Sequence, residues 1–467
     1  MCFPRKYINN FINLLKNKTS VTINRYSRLK KNYRSNAFVT IKIGLLGLGV
    51  VGTGAAKIIL DPSGRNSLVK DISIVKIGVK SANKPRQIDL PPNVIETDLE
   101  NIVNNPDIDI VVELLGGLEP ARTLILKAIA NKKHIVTANK AVMALYGDEI
   151  YKKACMAGVY VLLEAAVGGG IPIVKALKQS LSANRIESIV GIVNGTTNYI
   201  LTKMASEGTD FEKVLMEAQK LGYAEADPSA DIDGLDAADK ITILASLGFG
   251  MQINRHDIYY EGIRGINSID IKYAKQLGFV IKLLAIAKKV TNNTSEKLQL
   301  TVHPTLVPEE HPLAHVDGVY NAVLVEGDPL GEVMFLGQGA GSGPTASAVV
   351  SDIVNIVDAL KNNRTVSSSL DYINSDLYKI TPIESVKTRF YVRFLSKDLP
   401  GVIGHLGTIF GEYSVSLKSV VQIGLQKKLA EIVIITYHVD EGSLRAALDK
   451  ISTLDAIDSI PSILRVL

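Results

Sequence analysis

The sequence has few of the residues that build covalent or metal-based frameworks. Its 467 residues include only two cysteines, Cys2 and Cys155, which excludes a disulfide framework and a cysteine-based zinc site and fits a reducing compartment. The seven histidines are spread along the chain, with a single HxxxH spacing at His311 and His315, so a histidine-rich metal site is not expected. No uninterrupted apolar run approaches the roughly 18 residues of a membrane span, and we expect no membrane partner.

Acidic residues are absent from the beginning of the chain. Residues 1–40 contain nine Lys or Arg and no Asp or Glu. This composition is typical of an organelle transit peptide, but a disordered basic extension looks the same. We expect a cytoplasmic location of the bacterial type, or the plastid stroma if this segment is a transit peptide. The rest of the chain has more acids than bases, so we expect no nucleic-acid partner.

A glycine-rich turn follows the first apolar segment. The stretch TIKIGLLGLGVVGTGAAKIIL combines a short strand, the pattern Gly47-x-Gly49-x-x-Gly52 and a helix. The first glycine permits the tight turn, the second lets a pyrophosphate approach the backbone, and the third lets helix and strand pack closely. Free N–H groups at the helix start, near Val50 and Val51, would face the phosphates. The alternative is an ordinary strand–turn–helix corner.

The end of the second predicted strand, Ile72–Val79, carries basic side chains. A site that prefers NAD has an acidic residue there for the ribose hydroxyls. The next seven residues contain no acid and three cations, Lys80, Lys84 and Arg86. Cations can hold a 2′-phosphate, so the sequence favours NADP, with NAD possible. The alternative is that these are solvated loop charges.

Strands and helices alternate through this first domain. Asp107–Gly117 and His134–Met143 have the composition of buried parallel strands, with a helical stretch at Pro120–Ala130 between them. This alternation predicts a doubly wound α/β sheet. Ligands bind at the carboxyl ends of such strands, where Thr137 and Lys140 fall. Lys140 can reach cofactor and substrate together, or it is a surface lysine after a strand.

Two polar loops lie in the middle of the chain. Glu164 is followed by the glycines of Gly168–Gly170, and a turn of that kind exposes carbonyl oxygens that suit a hard cation. Close packing of the turn is the alternative. Thr196 lies in the segment Asn194–Asn198, which can cap the following helix or bind a substrate carboxylate at its N-terminus.

The stretch Gly222–Lys240 contains six carboxylates and ends in a lysine. Asp236 and Lys240 are four residues apart on a predicted helix and share a face, whereas Asp239 is expected to point to solvent. Glu225 lies on a loop that can fold over the helix start. We predict a pocket in which Glu225 and Asp236 hold a substrate ammonium and Lys240 lies near the reacting oxygen. The alternative is an acidic loop with a surface ion pair.

Six segments, in this order, resemble the long form of homoserine dehydrogenase. They are GLLGLGVVGTG, TANKA, LEAAVGGGIPI, VNGTTNYIL, GYAEADPSADIDGLDAADK and GQGAGSGPTASAVVSDIV. The resemblance covers roughly residues 41–365. It implies reversible NAD(P)-dependent interconversion of L-homoserine and L-aspartate 4-semialdehyde, a step toward threonine, methionine and isoleucine. It also implies that Lys240 is the general acid.

The resemblance assigns roles to individual residues. Its catalytic residues are Lys240 and Lys140. Its cofactor residues are Gly47, Gly49, Val50, Val51, Gly52, Lys80, Thr137, Lys140, Gly222, Gly339 and Gly341. Its substrate residues are Lys140, Thr196, Glu225 and Asp236. Sodium or a similar monovalent cation is implied at Glu164 and the carbonyls of Val167, Gly169 and Ile171. The chain departs from the family in having Asp239 where members often have histidine, and it lacks their Arg-Asp pair after the second strand.

The last 80 residues alternate as βαββαβ, a ferredoxin-like order. The segment DLPGVIGHL resembles the signature of an ACT domain. This implies a small amino-acid effector, threonine by analogy, at an interface between paired domains, and we expect a homodimer or homotetramer. A purely structural dimerisation module is the alternative.

The expected organisation has six parts. They are a basic extension (1–40), a Rossmann-type nucleotide-binding domain (41–165), an α+β catalytic and dimerisation domain (166–335), a return segment (336–375), a linker (376–388) and an ACT domain (389–467). Two other functions remain to be distinguished. One is another lysine-dependent amino-acid dehydrogenase, and the other is a non-catalytic sensor of cofactor and amino acid, which would not need both lysines.

Overall fold

The computed structural model describes residues 40–292, 295–364, 377–426 and 429–467. The predictions for 1–39 and 365–376 therefore lie outside the described residues. Within the described ranges, no helix combines the length and the apolar character that crossing a membrane requires.

The nucleotide-binding domain alternates strands and helices, as the pattern predicts. Its elements are β1 (Ile41–Leu46), α1 (Val50–Leu60), β2 (Ile72–Gly78), β3 (Ile95–Glu96), α2 (Leu99–Asn104), β4 (Ile110–Glu113), α3 (Ala121–Ala130), β5 (His134–Thr137), α4 (Lys140–Ala157) and β6 (Val161–Leu162). The predicted strand at His134–Met143 is shorter than expected, because α4 already begins at Lys140.

These strands form one sheet in the order β3-β2-β1-β4-β5-β6. The pairs β2–β3, β1–β4, β4–β5 and β5–β6 are parallel, and all four residues of β4 are buried. The order reverses between β1 and β4, and open α/β sheets bind their ligands at the carboxyl ends of the strands at that point. The predicted Rossmann-type fold is confirmed.

The second domain is an antiparallel sheet covered by helices. Its elements, with the return helix, are α5 (Ile173–Lys175), β7 (Arg185–Ile192), α6 (Gly195–Glu207), α7 (Phe211–Lys220), α8 (Ser229–Ile232), α9 (Leu235–Phe249), β8 (Tyr259–Tyr260), α10 (Ser268–Gln276), β9 (Phe279–Asn292), β10 (Ser295–Pro308), β11 (Tyr320–Asp328), β12 (Gly331–Gln338) and α11 (Ser342–Lys361). The strand order is β12-β11-β7-β9-β10, and α6, α9 and α10 pack against β9.

The C-terminal domain has the predicted ferredoxin-like order, with two additional short strands. Its elements are β13 (Lys379–Ile380), β14 (Lys387–Lys397), α12 (Val402–Glu412), β15 (Leu417–Gln426), β16 (Leu429–Thr436), β17 (Val439–Asp440), α13 (Glu441–Ser452) and β18 (Ile457–Val466). Its sheet is continuous with that of the second domain, because β18 pairs with β10 at Thr305–Arg465 and Leu306–Val466. The predicted linker also contributes, since β13 pairs with β10.

A buried ion cluster, formed by Asp270, Arg393 and Glu431, joins α10 to the C-terminal domain. The Arg393 guanidinium donates to both oxygens of Asp270, at 2.6 and 3.2 Å, and to Glu431 at 3.3 Å. The hydroxyl of Tyr391 also donates to Asp270, at 3.1 Å. The Arg393 side chain is 2% exposed and that of Asp270 0%. The two domains are thus held together by charges that water does not reach.

Candidate active site

The glycine turn after β1 fits a dinucleotide. Gly47 has φ 109°, and a Cβ there would lie 2.8 Å from the carbonyl oxygen of Leu114. A Cβ on Gly52 would lie 2.2 Å from the Gly47 oxygen, whereas a Cβ on Gly49 would meet no atom within 4 Å. The first and third positions therefore require glycine for conformation and packing. The open space at the second is where a pyrophosphate approaches the backbone.

The return helix α11 begins beside the same turn. The Ser342 hydroxyl donates to the carbonyl oxygen of Val50 at 3.1 Å, and a Cβ on Gly54 would lie 2.8 Å from the Ala346 Cβ. The N-termini of α1 and α11 therefore lie close together. Gly341, with φ 125°, directly precedes α11, so the structure places this predicted cofactor residue next to the glycine turn.

Thr137 lies at the carboxyl end of β5, but its hydroxyl is used within the protein. It donates at 2.6 Å to Glu113, at the end of β4, and the other oxygen of Glu113 accepts from the Leu115 N–H at 2.8 Å. Both side chains are fully buried. Glu113 was not singled out from the sequence, although an acid that ends an apolar strand was a visible signal.

The three cations after β2 have different positions. The Arg86 guanidinium donates to the carbonyl oxygens of Ser81, Ala82 and Lys84, at 2.6, 2.7 and 2.9 Å, and so organises the loop. Lys80 and Lys84 are exposed. These two lysines are therefore the cations at this strand end that a 2′-phosphate can reach.

The centre of the site is Asp236, in the first turn of α9. The Lys240 ammonium donates to its Oδ2 at 2.6 Å, and the Lys140 Nζ lies 3.1 Å from its Oδ1. Lys240 also donates to the carbonyl oxygen of Val193 at 2.7 Å. Burial alone would raise the pKa of Asp236, but the charges of Lys240 and Lys140 hold it well below its usual value. The prediction that Asp236 and Lys240 share a helix face is confirmed.

The residue before α6 brings a second acid into the site. The Asn194 amide donates to Asp236 at 2.8 Å and to Asp231 at 2.7 Å. Burial, and then the like charge of Asp236, raises the pKa of Asp231. Asp231 was not selected from the sequence, because the acidic stretch offers six carboxylates and only the tertiary fold shows which of them faces Asn194.

The predicted substrate residues Thr196 and Glu225 lie on segments that are joined by a hydrogen bond. The Thr196 hydroxyl donates to the carbonyl oxygen of Tyr223 at 2.7 Å and so ties the start of α6 to the loop that carries Glu225. Glu225 itself is exposed. Gly222, with φ 76°, precedes it, and a Cβ there would meet no atom within 4 Å. The structure therefore brings Asp231 to Asp236, and leaves Glu225 on the open loop.

The prediction that Asp239 points to solvent is wrong. Asp239 is 7% exposed, and its Oδ1 accepts from the Nε of Arg255 at 2.8 Å. Arg255 lies on a 3₁₀ turn at Arg255–Asp257 and supplies the counter-charge that makes burial tolerable. Helical spacing alone does not show this partner.

The turn predicted to hold a cation contains the buried carboxylate of Glu164, and the buried carboxylate of Asp352, on α11, lies beside it. The Glu164 oxygens accept from the N–H groups of Val174 and Lys175, at 2.9 and 2.8 Å, and the Asp352 carboxylate accepts from the Glu164 N–H at 2.8 Å. Burial raises the pKa of Asp352 to about 7 and also raises that of Glu164. Each carboxylate oxygen has two lone pairs, so Glu164 can still contribute an oxygen to a cation alongside backbone carbonyls.

The other predicted ligands of this turn are Val167, Gly169 and Ile171, and they pack within the turn or against the segment before α11. The Ile171 carbonyl accepts from the Ile173 N–H at 2.8 Å. A Cβ on Gly169 would lie 2.5 Å from the Gly339 oxygen, so Gly169 and Gly339 are in close contact. Val167 is buried. In the described part of the chain, no group of three or more His, Cys, Asp or Glu side chains is arranged to hold a metal.

Comparison with known proteins agrees with this geometry. The chain matches the family models for the NAD-binding domain of homoserine dehydrogenase at 47–164, for homoserine dehydrogenase at 172–354 and for the ACT domain at 390–456. A homoserine dehydrogenase from Synechocystis sp. is 63% identical over 432 residues, which cover 92% of this chain and 100% of that protein.

Solved structures extend the similarity. The crystal structure of a homoserine dehydrogenase from Thiobacillus denitrificans is 42% identical, with a TM-score of 0.85, over 91% of this chain and 98% of that one. A hyperthermophilic archaeal homoserine dehydrogenase in complex with NADPH is 28% identical, with a TM-score of 0.57, over 69% of this chain and 98% of that one. The chain therefore belongs to the homoserine dehydrogenase family of NAD(P)-binding oxidoreductases, in a form that carries an ACT domain.

Proposed function

We propose that Lys240 is the proton donor when this enzyme reduces L-aspartate 4-semialdehyde to L-homoserine. The observation that carries the proposal is the buried contact between Lys240 and Asp236, with Lys140 on the other oxygen of the same carboxylate. An ammonium has three donors, and two of those on Lys240 go to Asp236 and the Val193 carbonyl. The third is available to a substrate oxygen.

The same residues have defined roles in the hydride and proton transfers of the reaction. A reduced nicotinamide cofactor, held at the Gly47–Gly52 turn, would supply the hydride for the aldehyde carbon. Lys240 gives a proton to the aldehyde oxygen as negative charge develops there, which makes the alcohol. Asp236 stays ionised throughout and keeps Lys240 oriented. Lys140, between the nucleotide-binding strands and Asp236, adds a second positive charge near the developing oxyanion.

Carboxylates and a helix N-terminus support binding of an amino-acid substrate. Asp231 and Asp236 accept from the same Asn194 amide, and together they present negative charge to a substrate ammonium. The start of α6, at Thr196, suits the substrate carboxylate, since helix N-termini attract anions. Glu225 would add a further acid if its loop closes over the bound molecule.

Turnover is the direct test of this proposal. L-homoserine with NADP should give an increase in absorbance at the band of the reduced nicotinamide. A lysine-dependent enzyme for another amino acid would act on that substrate in preference to homoserine. A sensor would bind cofactor without turnover, and either result would contradict the proposal.

We expect NADP to be preferred over NAD. The exposed lysines after β2 and the lack of an acid there support a 2′-phosphate site. Lys80→Ala should raise the KM for NADP about tenfold and change the KM for NAD much less, because one charge-assisted contact is lost. The matched control is Lys76→Ala, on β2 itself, where the lysine donates to the Asn93 carbonyl. An equal change for both cofactors would show that Lys80 does not recognise the 2′-phosphate.

The ACT domain implies an amino-acid effector, and we propose threonine, the product of the pathway that homoserine feeds. Threonine should lower the rate at fixed substrate in a saturable way, measured by titration against initial velocity. Methionine and isoleucine are the matched comparisons. Inhibition by one of these and not by threonine would reassign the effector, and no response to any would favour a purely structural domain.

We also propose a homodimer or homotetramer and a monovalent cation at the turn from Glu164 to Ile171. Exposed Met334 and Leu336 on β12, an edge strand of the large sheet, support self-association. The burial of the Glu164 and Asp352 carboxylates supports the cation, because a buried negative charge is stabilised by a nearby positive charge.

A further inference from the structure

A buried ion pair lies directly behind the proposed proton donor. Asp239 precedes Lys240 on α9, and its carboxylate accepts from Arg255 at 2.8 Å. The two side chains are 10% and 6% exposed. The Arg255 guanidinium also lies over the Tyr260 ring, 4.7 Å from its centre. The pair therefore fixes the solvent-remote side of the catalytic helix to the turn at Arg255–Asp257.

The pair adds one positive and one negative charge to the lysine site and leaves its balance unchanged. Lys140 faces Asp236 most strongly, and Asp231 and Asp239 also act on it. The complete cluster contains three cations, Lys140, Lys240 and Arg255, and three carboxylates, Asp231, Asp236 and Asp239. The remaining polar side chain at its centre, Asn194, is neutral.

We propose that Asp239 and Arg255 are positioning residues for the reaction. Asp239 fixes the part of α9 that carries Lys240 against the turn at Arg255–Asp257, and Arg255 holds Asp239 in place with a compensating charge. This inference rests on the proposed role of Lys240.

Arg255 depends on Asp239 in turn. Its Nη2 is buried and has no hydrogen-bond partner among the described residues. A buried cation that loses its counter-charge strongly raises the local positive potential, because the surrounding protein screens it poorly. Loss of Asp239 would therefore leave one uncompensated positive charge, that of Arg255, close to the lysines.

The test is the pH profile of kcat/KM for aldehyde reduction in a set of charge variants. Asp239→Asn should move the alkaline limb to lower pH by about one unit, since added positive potential favours loss of a lysine proton. Arg255→Met should move it to higher pH, because the cluster then carries an excess negative charge. The double variant, which is again balanced, should return close to the wild-type profile.

The matched control is Asp233→Asn, close to the start of α9. Asp233 pairs with Arg264, and both side chains are about half exposed, at 43% and 51%, so solvent screens this pair and the limb should not move. A purely structural role for Asp239 and Arg255 would lower thermal stability without opposite shifts in pH. If Asp239→Asn does not fold, the other two variants still test the proposal. The alkaline limb should then lie at higher pH in Arg255→Met and at the wild-type pH in the double variant.

Three outcomes would overturn the inference. They are an unmoved limb in Asp239→Asn, shifts of the same sign in both single variants, and a double variant as displaced as Asp239→Asn. Failure of the proposed function gives a different result, since Lys240→Ala would then retain the wild-type rate. The two failures are therefore distinguishable in one series of measurements.

Discussion

Lys240→Ala is expected to lower kcat by about a hundredfold or more, with cofactor binding largely unchanged. A positioned general acid typically contributes about 10²–10⁴ in rate. Alanine removes both the proton donor and the charge that faces Asp236 at 2.6 Å, whereas the glycine turn that fits the cofactor is part of another domain. Initial rates with both substrates saturating, and cofactor binding by fluorescence titration, measure the two effects separately.

A control lysine distinguishes this role from a general loss of charge. Lys203, on α6, forms ion pairs with Glu207 and Glu217 near the surface, and Lys203→Ala should leave kcat within about twofold, as exposed pairs are worth little. If Lys240→Ala keeps its rate within about tenfold, roughly 1.4 kcal/mol of barrier, the proton donor is another group.

Arg393→Met is expected to have the largest effect on stability. It would leave the carboxylates of Asp270 and Glu431 buried without the cation they share. Removing one partner of a buried ion cluster costs about 3–5 kcal/mol in free energy of unfolding. Chemical denaturation, followed by a probe in the C-terminal domain, measures the change.

Arg445→Met is the matched control in the same domain. Arg445 pairs with Glu441 at 3.1 Å, but its side chain is 41% exposed, so its loss should cost no more than about 1 kcal/mol. A triple variant that replaces the whole cluster by apolar residues should recover much of the stability lost in Arg393→Met, because no unpaired charge remains. Equal losses in the Arg393 and Arg445 variants would show that water reaches the cluster.

The features predicted correctly from the sequence depend on neighbours along the chain. The Gly47–Gly52 turn and the Asp236–Lys240 pair follow from spacings of only a few residues. The alternation of strands and helices was enough to predict the nucleotide-binding and ferredoxin-like folds. Those patterns arise because helices repeat every 3.6 residues and strands every two.

The features that were missed depend on distant partners. Arg255 is 16 residues beyond Asp239, Asn194 is 37 residues before Asp231, and Arg393 is 123 residues beyond Asp270. A charged residue does not reveal in sequence whether folding will bring it an opposite charge. The prediction for Asp239 was therefore wrong for the same reason that Asp231 was not selected.

Because β18 pairs with β10, the ACT domain and the catalytic domain share one β-sheet, and the ACT domain cannot be removed without exposing a strand of that sheet. A chain cut after α11 would lose β18 and β13 from β10, and Glu261 would lose Arg465, which donates to it at 3.0 Å. The unpaired N–H and C=O groups of an exposed edge strand can pair with another chain, so a truncated enzyme should be prone to aggregation. The proposed regulation by an amino acid is therefore better tested by point substitutions in the ACT domain than by deleting it.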